Sequence, residues 1–213
     1  MAAQDPNAEY RTLTEAFERL NAELFGGTLP LVLITYQREN RMLGYYRQHA
    51  FRNRTDQAAP ILAEIALNPD TFEARTDREI LSTLAHEMCH LWQAAYGTPS
   101  RTGYHNAQWA AKMIAVGLQP VRADGRPGTT GQAMTHAIIP GEAFDTTARH
   151  FLAGSRLHWQ AIKPPPRDAA KKRASKTRYT CPGCGLNAWA KPGAPLMCAD
   201  CEELMAPDTD GEG

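Results

Sequence analysis

Two histidines four residues apart, with a glutamate directly after the first, are the residues of this chain most suited to chemistry. They are His86 and His90, in the segment LAHEMCHLWQ at 84–93. On a helix, positions i and i+4 face the same way, so both imidazoles can bind one metal ion. Glu87 then lies beside that face, where its carboxylate can take a proton from a metal-bound water instead of binding the metal. The pattern predicts a catalytic zinc site suited to amide hydrolysis.

A catalytic zinc needs a third protein ligand, with the fourth position left for water. The metzincin extension of the motif requires glycine and histidine at positions 93 and 96, but the chain has Gln93 and Tyr96, which excludes that class. The next candidate is His105, in GYHNAQW, which a turn over residues 97–103 can fold back onto the first two histidines. A single histidine at a helix start is also typical of a capping or surface residue. Given the pair of histidines upstream, we favour the ligand interpretation of His105.

A long helix must hold the two histidines, and the sequence predicts one over TDREILSTLAHEMCHLWQAAYG. Thr76 can cap this helix, and Glu79 three residues later completes a capping box. Gly97 and Pro99 end it. Cys89, directly before His90, points away from that second ligand by helical angle, so we expect it in the core.

The other elements predict an α+β domain over residues 1–162. Further helices are expected over 8–25, 105–116 and 142–153. Strands are expected over 29–36, 41–48, 61–69, 133–140 and 156–162, with a loop over 117–131. Histidines 49, 136, 150 and 158 are interpreted as ordinary structural or surface residues.

Four of the five cysteines form two C-x-x-C pairs, CPGC and CADC, with thirteen residues between them. They are Cys181, Cys184, Cys198 and Cys201. Because the sequence starts without a secretory signal, a metal site is favoured over disulfides. Four thiolates close a tetrahedral site, so this zinc is expected to be structural. The module, over 179–205 with a hairpin reversed by KPGAP, is too small for its own core, and zinc binding would supply its folding free energy, about 10–16 kcal/mol in comparable peptides.

Charge is segregated near the C-terminus although the formal net charge is zero. Residues 163–178 contain seven Lys or Arg and one Asp, and residues 200–213 contain six acidic residues and no basic one. We predict a basic, proline-containing linker over 163–178 and a disordered acidic tail over 206–213. The basic run can bind a polyanion such as DNA, and Trp189 can stack on an unpaired base. The candidate nucleic-acid contacts are Lys171, Lys172, Arg173, Lys176, Arg178 and Trp189. A solvated linker, with Trp189 packed on the cysteine knuckles, is the alternative.

Composition excludes two broad classes. Hydrophobic residues make up 43% and charged residues 22%, close to the averages for globular proteins, so neither global disorder nor a membrane class is indicated. The start lacks a basic and apolar leader, and no stretch approaches the ~18 apolar residues of a spanning helix. We expect a cytoplasmic protein without a membrane partner.

HEMCHLWQ followed by GYHNAQW, and preceded by GYY and EIALNP in that order, resembles the SprT-like (Spartan-related) family of zinc metallopeptidases. The resemblance covers most of residues 8–160, and the cysteine pairs resemble the zinc ribbon of many such proteins. It implies a minimal zincin fold, zinc ligands matching His86, His90 and His105, and a catalytic glutamate matching Glu87. It also implies cleavage of proteins on DNA, notably those crosslinked to it.

The chain departs from the family pattern at two positions beside the third ligand. The family commonly has a glycine directly after that ligand and a phenylalanine four residues beyond it, whereas Asn106 and Trp109 stand here. These departures leave the ligand itself in place. They affect the subfamily to which the chain would be assigned and the way in which a substrate fits the site.

The leading hypothesis is a zinc endopeptidase with one catalytic and one structural zinc ion. It would act on DNA-bound or DNA-crosslinked proteins, on DNA that includes single-stranded regions, through Glu87-assisted attack of zinc-bound water on the peptide bond. The alternative is a nucleic-acid-binding or regulatory protein whose zincin domain is a scaffold. A hydrolase of small amides would need an enclosed site. Tyr45, Tyr46 and Tyr104 are candidate hydrogen-bond donors for the oxyanion, and the sequence does not choose among them.

Overall fold

The computed structural model describes residues 5, 7–39, 42–162 and 176–208. It divides the chain into two compact units, residues 1–162 and 163–213. Among the described residues, no helix is both long and apolar enough to cross a membrane.

The first unit mixes helices and strands, which confirms the α+β prediction. Its helices are α1 (Ala8–Phe25), α2 (Asp77–Tyr96), α3 (Ala107–Ala115) and α4 (Ala143–Leu152). Its strands are β1 (Val32–Tyr36), β2 (Gly44–Phe51), β3 (Leu62–Leu67), β4 (Leu118–Arg122) and β5 (Met134–Ile138), with a short 3₁₀ turn at Pro69–Thr71.

Strand β3 is the centre of a three-stranded sheet, parallel to β1 and antiparallel to β2. Its residues from Ala63 to Leu67 are all buried, as expected of a central strand covered on both faces. Glu64 is the polar exception in this run, and its carboxylate accepts hydrogen bonds from the hydroxyls of Thr35 and Tyr45. The buried carboxyl group is therefore hydrogen-bonded by the two neighbouring strands.

Helix α2 packs against this sheet and against the other helices of the unit. It begins as predicted: the Thr76 hydroxyl accepts the backbone N–H of Glu79, and the Glu79 carboxylate accepts the backbone N–H of Thr76. Apolar side chains from all four helices join it in one core, among them Leu13, Leu20, Leu84, Met88, Trp109, Met113 and Phe144. Cys89 is fully buried in that core, as predicted. The helix with the two histidines is therefore fixed along its length.

Two predictions about the end of the first unit are wrong. The predicted loop 117–131 contains β4, which pairs antiparallel with β5, and Leu118 is fully buried. Pro120 hides this strand in the sequence, although a two-stranded sheet consists of edges, where proline is tolerated. The predicted strand 156–162 is irregular, because carboxylates accept its backbone N–H groups: Asp77 bonds Leu157, and Glu9 bonds His158.

The second unit consists of short strands around the cysteines. They are β6 (Thr177–Thr180), β7 (Asn187–Ala190), β8 (Met197–Cys198), β9 (Glu203–Leu204) and β10 (Ala206–Pro207). Strand β6 lies between β10 and β7, and β8 pairs with β9. Each hairpin turns at a cysteine pair, so the prediction that KPGAP reverses a hairpin is wrong.

Both predicted boundaries of this unit also change. Thr177 and Arg178 belong to β6 rather than to the linker. Residues 206–207 form β10 rather than a disordered tail, because β6 offers free backbone groups and the Asp208 N–H continues the ladder to the Arg178 carbonyl. The remainder of the predicted linker, 163–175, and of the tail, 209–213, lies outside the described residues.

Candidate metal centres

The structure brings His86, His90 and His105 together, although fifteen residues separate the last two in the sequence. One potential ligand atom from each lies within 4.8 Å of the other two. His86 and His90 project from adjacent turns of α2. His105 directly precedes Asn106, the cap of α3. The chain between α2 and α3 therefore folds back as the three-ligand prediction requires.

A backbone bridge to Gly131 positions His105. The two residues exchange N–H···O bonds of 2.8 and 3.0 Å, and the His105 Nδ1 lies 3.2 Å from the Gly131 carbonyl oxygen. A proton on Nδ1 satisfies that contact and leaves the Nε2 lone pair for a metal. Gly131 has a φ of 147°, and a Cβ there would lie 2.9 Å from an Arg122 nitrogen. A larger residue at 131 would disturb the bridge.

Asn106, where the family commonly has glycine, connects the two helices of the site. Its side-chain oxygen accepts the Trp109 backbone N–H at 3.0 Å and so caps α3. The same oxygen accepts the side-chain N–H of Gln93, on α2, at 2.7 Å. The departure from the family pattern therefore contributes a link between the helices that hold the histidines.

Trp109, where the family commonly has phenylalanine, is a fully buried wall of the histidine cluster. Its ring centroid lies 4.3 Å from that of His105, 4.9 Å from that of His86 and 5.3 Å from that of His90. The contact with His90 is stacked, with 20° between the planes. One indole therefore restricts the orientation of all three imidazoles.

Burial keeps the imidazoles in the form that binds metals. It lowers the pKa of His90 to about 3, holds that of His86 well below its ordinary value, and lowers that of His105. Neutral imidazole has the lone pair that a metal requires. Three neutral imidazoles, with one potential ligand atom of each within 4.8 Å of those of the other two, fit the donor set of a catalytic zinc.

Glu87 lines the same cleft as the three histidines. It is 5% exposed, and burial raises the pKa of its carboxyl to about 8. A cation bound to the neighbouring histidines would favour the carboxylate form. The residue therefore combines proton affinity with a position beside the candidate metal.

The cleft has a volume of about 1060 Å³, and its rim includes the exposed residues Arg101 and Tyr104. All three candidate oxyanion donors line it. The Tyr45 hydroxyl donates to Glu64 at 3.2 Å, and Tyr46 packs against the core. Tyr104 is 37% exposed, with the Arg101 guanidinium over its ring. The rim leaves room for a chain that extends beyond the cleft.

His136 was missed by the sequence analysis, which interprets it as an ordinary histidine. Its Nδ1 lies 3.1 Å from the Nδ1 of His86, although fifty residues separate the two. No spacing rule connects a residue on β5 to the motif on α2, so the sequence carries no signal for this contact. The other three histidines interpreted as ordinary, at 49, 150 and 158, are exposed.

The four paired cysteines form the second centre, with potential ligand atoms within 4.8 Å of one another. The sulfurs of Cys184 and Cys198 are 3.7 Å apart, close to the roughly 3.8 Å expected for sulfurs about 2.3 Å from a tetrahedral zinc. Backbone N–H groups of Cys184 and Gly183 lower the pKa of Cys181 to about 7. At Gly183, a Cβ would lie 3.1 Å from the Cys201 sulfur. The cradle fits a closed, structural metal site.

The candidate nucleic-acid contacts are only partly described. Lys171, Lys172 and Arg173 lie outside the described residues, and Lys176 is exposed. Arg178 and Trp189 are directly opposite each other on β6 and β7. Trp189 is 63% exposed, so its ring is accessible rather than packed away on the knuckles. Arg178 forms an ion pair with Asp208.

Together, an α+β fold, a buried three-histidine cluster and a neighbouring glutamate define a metalloprotease-like domain. The model of the SprT-like family matches residues 13–129, more than half of the chain, and the chain therefore belongs to this family. This confirms the family resemblance. Among curated proteins and solved structures, none matches the chain significantly. The matched region contains Glu87 and the three clustered histidines, whereas His136 and the four-cysteine centre lie beyond it.

Proposed function

We propose that the first unit is a zinc endopeptidase of minimal zincin type and that the second is a zinc ribbon that binds DNA. One observation carries the enzymatic part: three neutral histidines and Glu87 line a single cleft with an exposed rim. A scaffold needs no buried carboxylate beside the ligands, because such a carboxylate costs desolvation. Membership of the SprT-like family supports the same function.

The roles of the residues follow from their positions. His86, His90 and His105 would hold the catalytic zinc. When bound, zinc polarises a carbonyl oxygen and lowers the pKa of a water to about 7. Glu87 accepts a proton as the peptide carbonyl is attacked and delivers it to the leaving amine. Trp109 and Asn106 keep the ligands in place during these proton transfers.

The cleft favours a polypeptide over a small amide. Small-molecule sites usually bury most of their ligand. Here Arg101 and Tyr104 are exposed at the rim, and His90 and His105 are only partly buried. A segment of a larger substrate can therefore reach the histidines while the rest of it stays outside.

The DNA-binding part rests on the second unit and on the basic linker. Trp189 offers an exposed ring for stacking on an unpaired base, with the guanidinium of Arg178 opposite it. Exposed Lys176 and the lysine-rich sequence before it add positive charge for phosphates. DNA bound here would bring the enzyme to proteins that are bound or crosslinked to DNA.

Cleavage of a basic DNA-binding protein, with and without single- or double-stranded DNA, tests this proposal. Glu87→Gln protein is the control in every arm. We expect cleavage that requires both DNA and Glu87. Cleavage that does not require DNA would contradict the proposal that the enzyme acts on DNA-bound proteins. Binding of DNA without any cleavage, at full zinc occupancy, would instead favour a nucleic-acid-binding protein whose first unit is a scaffold.

A further inference from the structure

A chain of three hydrogen bonds leads away from His86 to residues outside the ligand cluster. The Nδ1 atoms of His86 and His136 are 3.1 Å apart. The other ring nitrogen of His136, Nε2, lies 2.8 Å from the hydroxyl oxygen of Ser82. The Ser82 hydroxyl lies 2.8 Å from the carbonyl oxygen of Glu79. Ser82 is 3% exposed and precedes His86 by one helical turn. These three hydrogen bonds therefore connect β5 to α2.

The donors and acceptors in this series of hydrogen bonds determine the tautomers of the His86 and His136 rings. The Glu79 carbonyl only accepts, so the Ser82 hydroxyl donates to it and accepts the Nε2 proton of His136. His136 then has a lone pair on Nδ1, which accepts the Nδ1 proton of His86. His86 keeps its lone pair on Nε2, where it can bind a metal. The opposite assignment at the contact between the rings would put the His86 proton on Nε2 and block that atom.

We propose that His136, held by Ser82, is a positioning residue that fixes the tautomer and the orientation of His86 for metal binding. His105 shows the simpler version of the same arrangement, because its Nδ1 faces the backbone carbonyl of Gly131. A carbonyl is always an acceptor, whereas an imidazole accepts at Nδ1 only when its proton is on Nε2. The Ser82 hydroxyl accepts a hydrogen bond from Nε2 of His136 and so keeps the proton on that atom. Ser82 is therefore part of the arrangement that positions His86.

The inference deepens the proposed function but rests only on its metal site. His136 lies on β5, beyond residue 129, where the match to the family model ends. Partners that orient a metal-binding histidine typically contribute about 10- to 100-fold in metal affinity. We expect that range for both His136 and Ser82, although neither is a ligand.

Zinc affinity of the full-length protein tests the proposal, by competition with a chromophoric chelator. The binding step that His90→Ala removes identifies the histidine site and separates it from the cysteine site. The asparagine of His136→Asn places an oxygen acceptor near the position of Nδ1. The leucine of His136→Leu has the same shape as asparagine but no acceptor. We expect His136→Leu and Ser82→Ala to weaken the histidine site about 10- to 100-fold and His136→Asn to stay close to wild type. Equal affinity of the Asn and Leu variants would overturn the proposal.

Nitrogen-15 spectra of the imidazoles in metal-free wild-type protein give a second test that needs no variant. We expect the proton of His86 on Nδ1 and that of His136 on Nε2. The reverse assignment at either ring would overturn the proposal. Neither test depends on cleavage, so a protein that binds zinc with these properties and cuts nothing would contradict the peptidase function while leaving the positioning role intact.

Discussion

At the residue scale, Glu87 and the histidines next to it have tasks that mutation can separate. Glu87 lines the cleft but is not in the group of three whose ligand atoms converge. In the proposed mechanism the histidines hold the metal and the carboxylate moves the proton. Loss of a proton-transfer group should therefore leave metal binding unchanged, and loss of a ligand should not.

Glu87→Gln should abolish most cleavage without releasing zinc. The amide has the same shape and stays buried, but it cannot accept the proton, and general bases contribute typically 10²- to 10⁴-fold. Zinc content and single-turnover cleavage, measured on the same preparation, check this. His90→Ala is the contrasting variant, and it should lose the zinc of the histidine site. Residual cleavage near the wild-type rate in Glu87→Gln protein would refute its role as the base.

At the scale of elements, the start of α2 depends on a buried carboxylate. Asp145, on α4, is 1% exposed and accepts hydrogen bonds from the Gly141 backbone N–H and from Arg78 on α2. Arg149 pairs with the same carboxylate from one turn later. The first turn of α2 is thereby joined to α4. These contacts, the Gly141 N–H foremost, hold the pKa of Asp145 below its ordinary value.

Asp145→Asn should destabilise the first unit by about 2 kcal/mol near neutral pH, because hydrogen bonds to a charged group are lost. The pKa of Asp145 is lower in the folded than in the unfolded state. The stabilisation that its carboxylate provides is therefore complete above the ordinary value of 3.8. It is lost as the pH falls through the folded-state pKa. Denaturant unfolding from pH 7 to pH 3 measures both proteins, and the difference between their stabilities should narrow toward the acid end. A constant difference across that range would contradict this linkage.

The elements also show what the sequence could predict. Helix α2 was predictable from its cap to Gly97, because capping and periodicity are local signals. Strand β4 and the irregular segment 156–162 were not, since each depends on a distant partner: β5 for the strand, and Glu9 and Asp77 for the segment. The candidate site divides in the same way. The motif predicted His86, Glu87 and His90, and the turn after α2 together with the resemblance predicted His105, but His136 meets His86 only through the fold.

At the scale of the whole molecule, the two units differ in what stabilises them. The first has an extensive apolar core, whereas the buried cluster of the second consists of Tyr179, Cys181, Cys198 and Met205. A cluster of that size cannot offset the conformational entropy of its strands. We propose that metal binding to the cysteines supplies the difference.

Cys181→Ser should therefore unfold residues 176–208 while the first unit keeps its transition. Hydrogen exchange followed by mass spectrometry on the full chain checks both units in one experiment. Cys89→Ala is the matched control, because Cys89 is buried in the first core and is not in the four-cysteine group. It should leave exchange in the second unit unchanged. Full protection of 176–208 in Cys181→Ser protein would show that the unit folds without its metal.

The acidic C-terminal segment also bears on DNA affinity, because Asp208 occupies the proposed DNA-binding face. Its carboxylate pairs with Arg178 and accepts the Thr180 hydroxyl at 2.9 Å. Arg178 lies opposite the exposed Trp189, so the acid neutralises the cation beside the stacking ring. In the proposed complex, DNA would compete with Asp208 for this guanidinium.

Asp208→Asn should therefore raise DNA affinity and steepen its salt dependence. One further free cation adds about 0.7 to the magnitude of the slope of log affinity against log salt for single strands. Fluorescence anisotropy with a labelled single strand at several salt concentrations measures both quantities. Asp200→Asn makes the same change of charge at an exposed position in the second cysteine knuckle and is the control. If the two variants gain equally, only net charge matters; a larger gain in Asp208→Asn assigns the effect to the release of Arg178.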